Sequence, residues 1–155
     1  MFRKLFAISV LILTPLLLLS CNKNNKKSSV ITVDDFSTAW LKGSWDAEIS
    51  ETKGIYQVNR NFTVTVDSED KVEIVRQSGS KESTDMDGLR DEVFYYYVSD
   101  VPSPEDIKKL EYDGLKIEGD ALLYLNPSKT KITSEIKITE LDGRTEFYSF
   151  SMTKK

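Results

Sequence analysis

The chain holds one cysteine, Cys21, and no histidine. Without imidazole there is no Ser–His–Asp or Cys–His catalysis, and no zinc site built on histidine or on several thiolates. A single thiol cannot close a disulfide within the chain. Carboxylate and lysine chemistry survive these exclusions, yet no nucleophile–base pair is visible, so the expected function is not enzymatic. No catalytic residue, cofactor or metal ligand is assigned. Asp85-Met86-Asp87-Gly88 begins like a calcium loop, but its next ligand position falls on Leu89 and no glutamate completes the spacing. A solvated acidic loop is the better reading there.

The surroundings of Cys21 are more informative. Met1-Phe2-Arg3-Lys4 is short and positive, and a largely apolar run follows from Leu5 to Leu19. That run matches the apolar core of a secretory signal and falls short of the ~20 residues of a membrane-spanning helix. Leu18-Leu19-Ser20-Cys21 then resembles the lipobox of bacterial lipoproteins. The resemblance implies that the thiol takes up a diacylglycerol, that cleavage occurs before Cys21, and that the freed amine is acylated, with palmitate as a typical chain. At ~0.8 kcal/mol per buried methylene, several acyl chains make a nearly permanent anchor. Residues 1–20 are thus expected to be a lipoprotein signal peptide and 21–30 a flexible tether. Residues 31–155 are the folded domain, held by lipid in the cell envelope and facing the periplasm or the cell surface. Lys23, Lys26 and Lys27 of the tether add headgroup attraction of ~1 kcal/mol each near an anionic surface.

The net charge of the whole chain is −4, and the leader removes Arg3 and Lys4 when it is cleaved. The acidic balance argues against a nucleic-acid partner. The length suits one domain able to bury its own core.

The elements that must position any site follow from periodicity. Asp34 is the expected N-cap of a short helix over 35–42, with Phe36 and Trp40 on one face and Gly43 as its stop. Trp45, Ala47 and Ile49 then alternate with polar residues. In 55–66, Tyr56, Val58, Phe62, Val64 and Val66 fall on one side. Further strands are predicted at 71–77, 92–98, 114–118, 121–126, 131–140 and 144–153, separated by turn signals such as NPSK and LDGR. Within VPSPEDIKKL, Ser103 caps and Pro104 opens a helix of about two turns. Residues 78–91 read as a mobile loop. The expectation is all-β: an eight-stranded antiparallel up-and-down barrel with a short N-terminal helix and one short inter-strand helix. A half-open barrel or a β-sandwich is the alternative.

Register can be tested at Asp142-Gly143. A two-residue loop scatters the apolar residues of the last two strands over both faces. A three-residue loop, Leu141-Asp142-Gly143, instead sets Ile136 opposite Tyr148, Ser134 opposite Phe150 and Ile132 opposite Met152. This choice turns Glu146 inward beside Ile138. The same parity turns Arg60 inward, and a Val64–Ile74 pairing sets Phe62 against Arg76, which makes Arg60 and Arg76 diagonal neighbours. Two inward cations need an anionic answer. An anionic headgroup is one, with Arg60, Arg76, Glu146, Phe62 and Tyr148 as the candidate ligand-binding residues. A bulge at Asn59-Arg60-Asn61 that turns Arg60 outward is the other reading.

Gly43-Ser44-Trp45, after a short helix and opening the first long strand, resembles the Gly-x-Trp signature of lipocalins and their calycin relatives. The resemblance implies that Trp45 seals the closed end of an eight-stranded barrel whose mouth admits a small apolar ligand. It also implies an arginine over that tryptophan late in the last strand, a position where this chain departs from the family and has Lys154 and Lys155. Two functions follow as expectations. One is an envelope binding protein that holds or shuttles a small apolar or amphiphilic ligand, including an anionic amphiphile. The other is a non-catalytic interaction lipoprotein with a filled barrel, an inhibitor or assembly factor for an envelope protein. They differ in whether the interior is empty.

Overall fold

A computed structural model describes residues 27–155. The leader, the lipobox and Cys21 lie outside the described residues. The alternating segments form the long strands β2 (Gly43–Lys53) and β3 (Tyr56–Ser68), the shorter β4 (Lys71–Arg76) and β5 (Lys81–Thr84), and then β6 (Lys116–Leu125), β7 (Lys131–Thr139) and β8 (Thr145–Lys154). A short β1 (Ser29–Ile31) carries the last two positions of the expected tether into the sheet, where Ser29 pairs with Leu125. All neighbours are antiparallel, in the order β1-β6-β7-β8-β2-β3-β4-β5.

The fold is therefore mostly antiparallel β, but the single sheet has two edges, β1 and β5, and is not a closed barrel. Helices that the alternation of the chain did not announce pack into the core of that sheet. Helix α2 (Met86–Arg90) runs directly into a π-helical segment at Asp91–Val98. The strand expected over 92–98 is absent, and the expected loop over 78–91 is β5 plus α2. Leu89, Val93 and Tyr97 recur every fourth residue and are all buried. Placing that stripe on the inner face of the sheet stabilises by ~1.5–3 kcal/mol per side chain, which outweighs the strand preference of consecutive tyrosines. Tyr97 packs on Phe150 with ring centroids 5.5 Å apart, and Phe94 meets Phe36 edge-on at 5.1 Å.

Two other segments also differ from expectation. The strands expected at 114–118 and 121–126 are one strand, β6, with a bulge between Asp120 and Tyr124. Gly119 marks a close approach rather than a turn: its φ is +87°, and a Cβ there would sit 2.0 Å from the Glu135 carbonyl oxygen. The expected N-terminal helix is split into a 3₁₀ turn at Val33–Asp35 and α1 (Thr38–Leu41). Asp35, not Asp34, makes the capping contact, accepting from the Thr32 backbone N–H at 2.6 Å and from its hydroxyl at 3.0 Å.

Other expectations hold. Helix α3 (Pro104–Tyr112) has Ser103 at its N-cap, with the hydroxyl accepting from the Asp106 N–H at 3.2 Å. Strands β7 and β8 pair through the three-residue turn, Ile136 with Tyr148, Ser134 with Phe150 and Ile132 with Met152. Val64 faces Ile74 and Phe62 faces Arg76. The core is the inner face of the sheet, from Trp45, Val64 and Val66 across Ile132, Ile136 and Phe150, closed from above by Met86, Leu89, Val93 and Tyr97. At one end Trp45 is fully buried, donates to the Leu41 carbonyl at 2.6 Å and meets Trp40 edge-on at 6.1 Å. The Lys154 ammonium lies 5.4 Å from the Trp45 ring centre.

Candidate functional site

The sheet has two unlike ends. Ser29, Gly43, Leu125 and Lys154 lie at one end, and Lys53, Lys116, Thr139 and Thr145 at the other. Strand β2 runs the whole way in eleven residues, about 35 Å at the usual rise. The chain enters at the Trp45 end, and the opposite end carries the open surface.

The β2–β3 hairpin overshoots the core at that far end. Tyr56 and Val58 keep the parity of Phe62 and Val64, as the alternation predicts, but they lie beyond the core and are exposed, with Ile55 at the tip 94% exposed. The Gly54 N–H donates to the Thr145 carbonyl at 3.5 Å, which joins this tip to the β7–β8 turn. Between that turn, α3 and the loop from Val98 to Ser103 lies an open cleft of about 1150 Å³. Its apolar lining includes Val101, Leu110, Leu115, Ala121 and Ile138, with the exposed Leu141 at its border. Six carboxylates also line it, from Asp100, Asp106, Asp113, Glu140, Asp142 and Glu146, against one lysine, Lys109.

Several of these carboxylates are already held. Ser103 and Lys109 donate to Asp106 and keep its carboxyl below the usual range. Arg144 does the same for Asp142, through its backbone N–H at 3.0 Å and its Nε at 2.7 Å, and it also reaches Glu140 at 2.8 Å. Asp100 faces Arg60 at 3.8 Å. Among the described residues, no ion pair engages Asp113 or Glu146. Glu146 accepts from the Tyr148 hydroxyl at 3.1 Å, and Tyr148 is buried. Burial, followed by the Glu146 charge, raises the Tyr148 phenol above its ordinary pKa, while Lys53 opposes the rise.

The five ligand-binding candidates do not converge on one site. Arg60, Phe62 and Arg76 do line one cleft of about 430 Å³, and the β2–β3 register runs unbroken through Arg60, so no bulge turns it outward. Each arginine, however, meets a carboxylate of the chain itself. Arg76 holds Glu92 through two nitrogens, at 2.5 and 2.9 Å, and Glu82 at 3.2 Å. Glu92 is 5% exposed, and its hydrogen bond is the leading cause of an Arg76 pKa above the ordinary guanidinium value. Phe62 belongs to the core, and Tyr148 packs under the cation of Lys53, 5.2 Å from its ring centre. Glu146 alone lines the large cleft. Glu92 and Asp100, the internal answers to the two arginines, were hidden because 92–98 reads as a strand. As a helix, that segment turns Glu92 toward Arg76, and the turn after it brings Asp100 to Arg60.

Asp85 accepts from the Gly88 N–H at 2.9 Å as the cap of α2, and no cluster of metal-binding side chains occurs among the described residues. No helix among them is long and apolar enough to cross a membrane. No protein-family model matches the chain, and no curated protein or solved structure matches it either.

Proposed function

We propose that this chain is a lipid-anchored, non-catalytic interaction protein of the cell envelope, an inhibitor or assembly factor that meets its partner at the far end of the sheet. One observation carries this choice over carriage of a ligand inside a barrel. The inner face of the sheet is filled by Tyr97, Phe150 and the 86–98 helices, while an apolar cleft stays open at the end away from the point of chain entry. Exposed Ile55, Tyr56 and Leu141 beside that cleft support a macromolecular surface. The anchor rests on the lipobox at Cys21, and it would keep the Trp45 end near the bilayer and the cleft away from it. The buried Trp45 under α1 supports a lipocalin-like, half-open barrel, with Lys154 across its ring in place of the family's arginine.

A second reading keeps a small apolar or amphiphilic ligand but moves it from the barrel interior to the cleft. The cleft volume supports it, being just above the ~300–1,000 Å³ of ordinary ligand pockets. A photo-crosslinking side chain at Leu141, with a control at Ser128 in the turn at the other end, tests the interaction reading in living cells. Crosslinks at Leu141 and none at Ser128 are expected; no crosslink at Leu141, or equal capture at both, removes the reading. Incorporation of labelled palmitate tests the anchor, and it must vanish in Cys21→Ser.

A further inference from the structure

Resting on that interaction reading, we infer that the far-end cleft docks a basic, amphipathic polypeptide segment of the partner. The far-end cleft is distinct from the one that Arg60 and Arg76 line, and its lining is acidic. Arg60 and Arg76 are occupied by Asp100 and by Glu92 with Glu82, so neither is left to attract an anion. The open site instead presents six carboxylates around an apolar lining, four of them held by Arg60, Lys109 and Arg144 and two, Asp113 and Glu146, outside any ion pair among the described residues. Among the described residues Asp113 makes no ion pair, and Glu146, although it lies across from Lys53 in the β2–β8 ladder, makes none either, so both can take a lysine or arginine from outside.

The apolar part is wider than a small cation needs. From the floor at Leu110 and Ile138 it passes through Leu141, 80% exposed, toward Ile55 and Tyr56 on the adjoining hairpin, and Tyr112 stands 92% exposed at the end of α3 beside Asp113. An extended or helical segment with apolar side chains on one face and cations on its borders matches floor and rim together. An organic cation with a single chain would cover the cleft and leave the hairpin tips bare.

The test uses the full lipidated chain in phosphatidylcholine nanodiscs, with empty nanodiscs as blank. The probes are a fluorescent amphipathic leucine–lysine peptide and a leucine–glutamate peptide of equal length. The lysine peptide is expected to bind at least about tenfold tighter than the glutamate peptide, and to weaken as salt rises. The pair Asp113→Asn and Glu146→Gln is expected to weaken it by about three- to tenfold, the effect of two exposed ion pairs. Both are side-chain neutralisations at positions outside the core, and circular dichroism of the variant verifies that the sheet persists. Equal binding of both peptides, or binding of the lysine peptide that ignores the double variant, overturns the inference. So does preferential binding of dodecyltrimethylammonium over the peptide. If the lysine peptide fails while crosslinks at Leu141 persist, the charge assignment falls and the interaction reading stands. Loss of the crosslinks removes the reading itself.

Discussion

Arg76, at the end of β4, grips Glu92 with two guanidinium nitrogens, and this pair fastens the 86–98 helical segment to the strand beside the β5 edge. Glu92 is almost wholly buried, whereas about a third of the Arg76 side chain is exposed. Removing the cation therefore strands a buried carboxylate, while removing both charges leaves an apolar contact. Arg76→Leu is expected to cost about 3 kcal/mol in urea unfolding. The double change Arg76→Leu with Glu92→Leu should cost less than Arg76→Leu alone. A double variant as unstable as the sum of the singles would deny that the two side chains are coupled.

Tyr97 and Ser134 make a second, opposite case. The Tyr97 hydroxyl is directed toward Ser134, yet neither oxygen completes a hydrogen bond of ordinary geometry, and both are buried. A buried hydroxyl without a good partner contributes little or costs stability. Tyr97→Phe should therefore leave stability at pH 7 unchanged or raised by up to about 1 kcal/mol. A loss above that size in the urea midpoint would contradict it.

The same tyrosine predicts an alkaline transition. Burial pushes its phenol up to about 12, from 10.0 for an unperturbed tyrosine. The folded state holds the proton more tightly, so the stabilisation is whole below pH 10 and is lost as pH rises from about 10 to about 12. Urea midpoints measured from pH 9 to 12 should fall more steeply in the wild-type chain than in Tyr97→Phe. Parallel slopes would mean that the phenol titrates alike in both states.

These two cases also indicate what could be read in advance. The β7–β8 register was legible because a one-residue slip there would expose Ile136 and Phe150 together, so burial leaves one solution. Helix α3 was legible from Ser103, Pro104 and the charges of its first and last turns, which are local signals. The segment from Asp91 to Val98 was not. Its run of valine, phenylalanine and tyrosines favours a strand by local preference, and only contact with Phe36 and Phe150, far away in sequence, makes the helix the better choice. That one misreading hid Glu92, the buried partner of Arg76. The bulge in β6 was obscured for a different reason. Gly119 between two acidic residues looks like a turn, and only the approach of the Glu135 carbonyl reveals a strand.

That approach gives the last prediction. At Gly119 the backbone has φ +87°, and a methyl group would meet the Glu135 carbonyl oxygen at 2.0 Å, a contact that only movement of two strands could relieve. Gly54, at the β2–β3 tip, has φ +60° and nothing within 4 Å of the same methyl position. Gly54→Ala therefore carries only the conformational cost of the left-handed region, about 1 kcal/mol. Gly119→Ala adds a steric clash and should cost at least about 2 kcal/mol more. Because β6 forms one wall of the far-end cleft through Ala121, Gly119→Ala should also weaken crosslinking at Leu141, while Gly54→Ala leaves it intact. Equal destabilisation by the two alanines in urea unfolding would show that the bulge yields freely, and would remove the close approach as the reason for glycine at position 119.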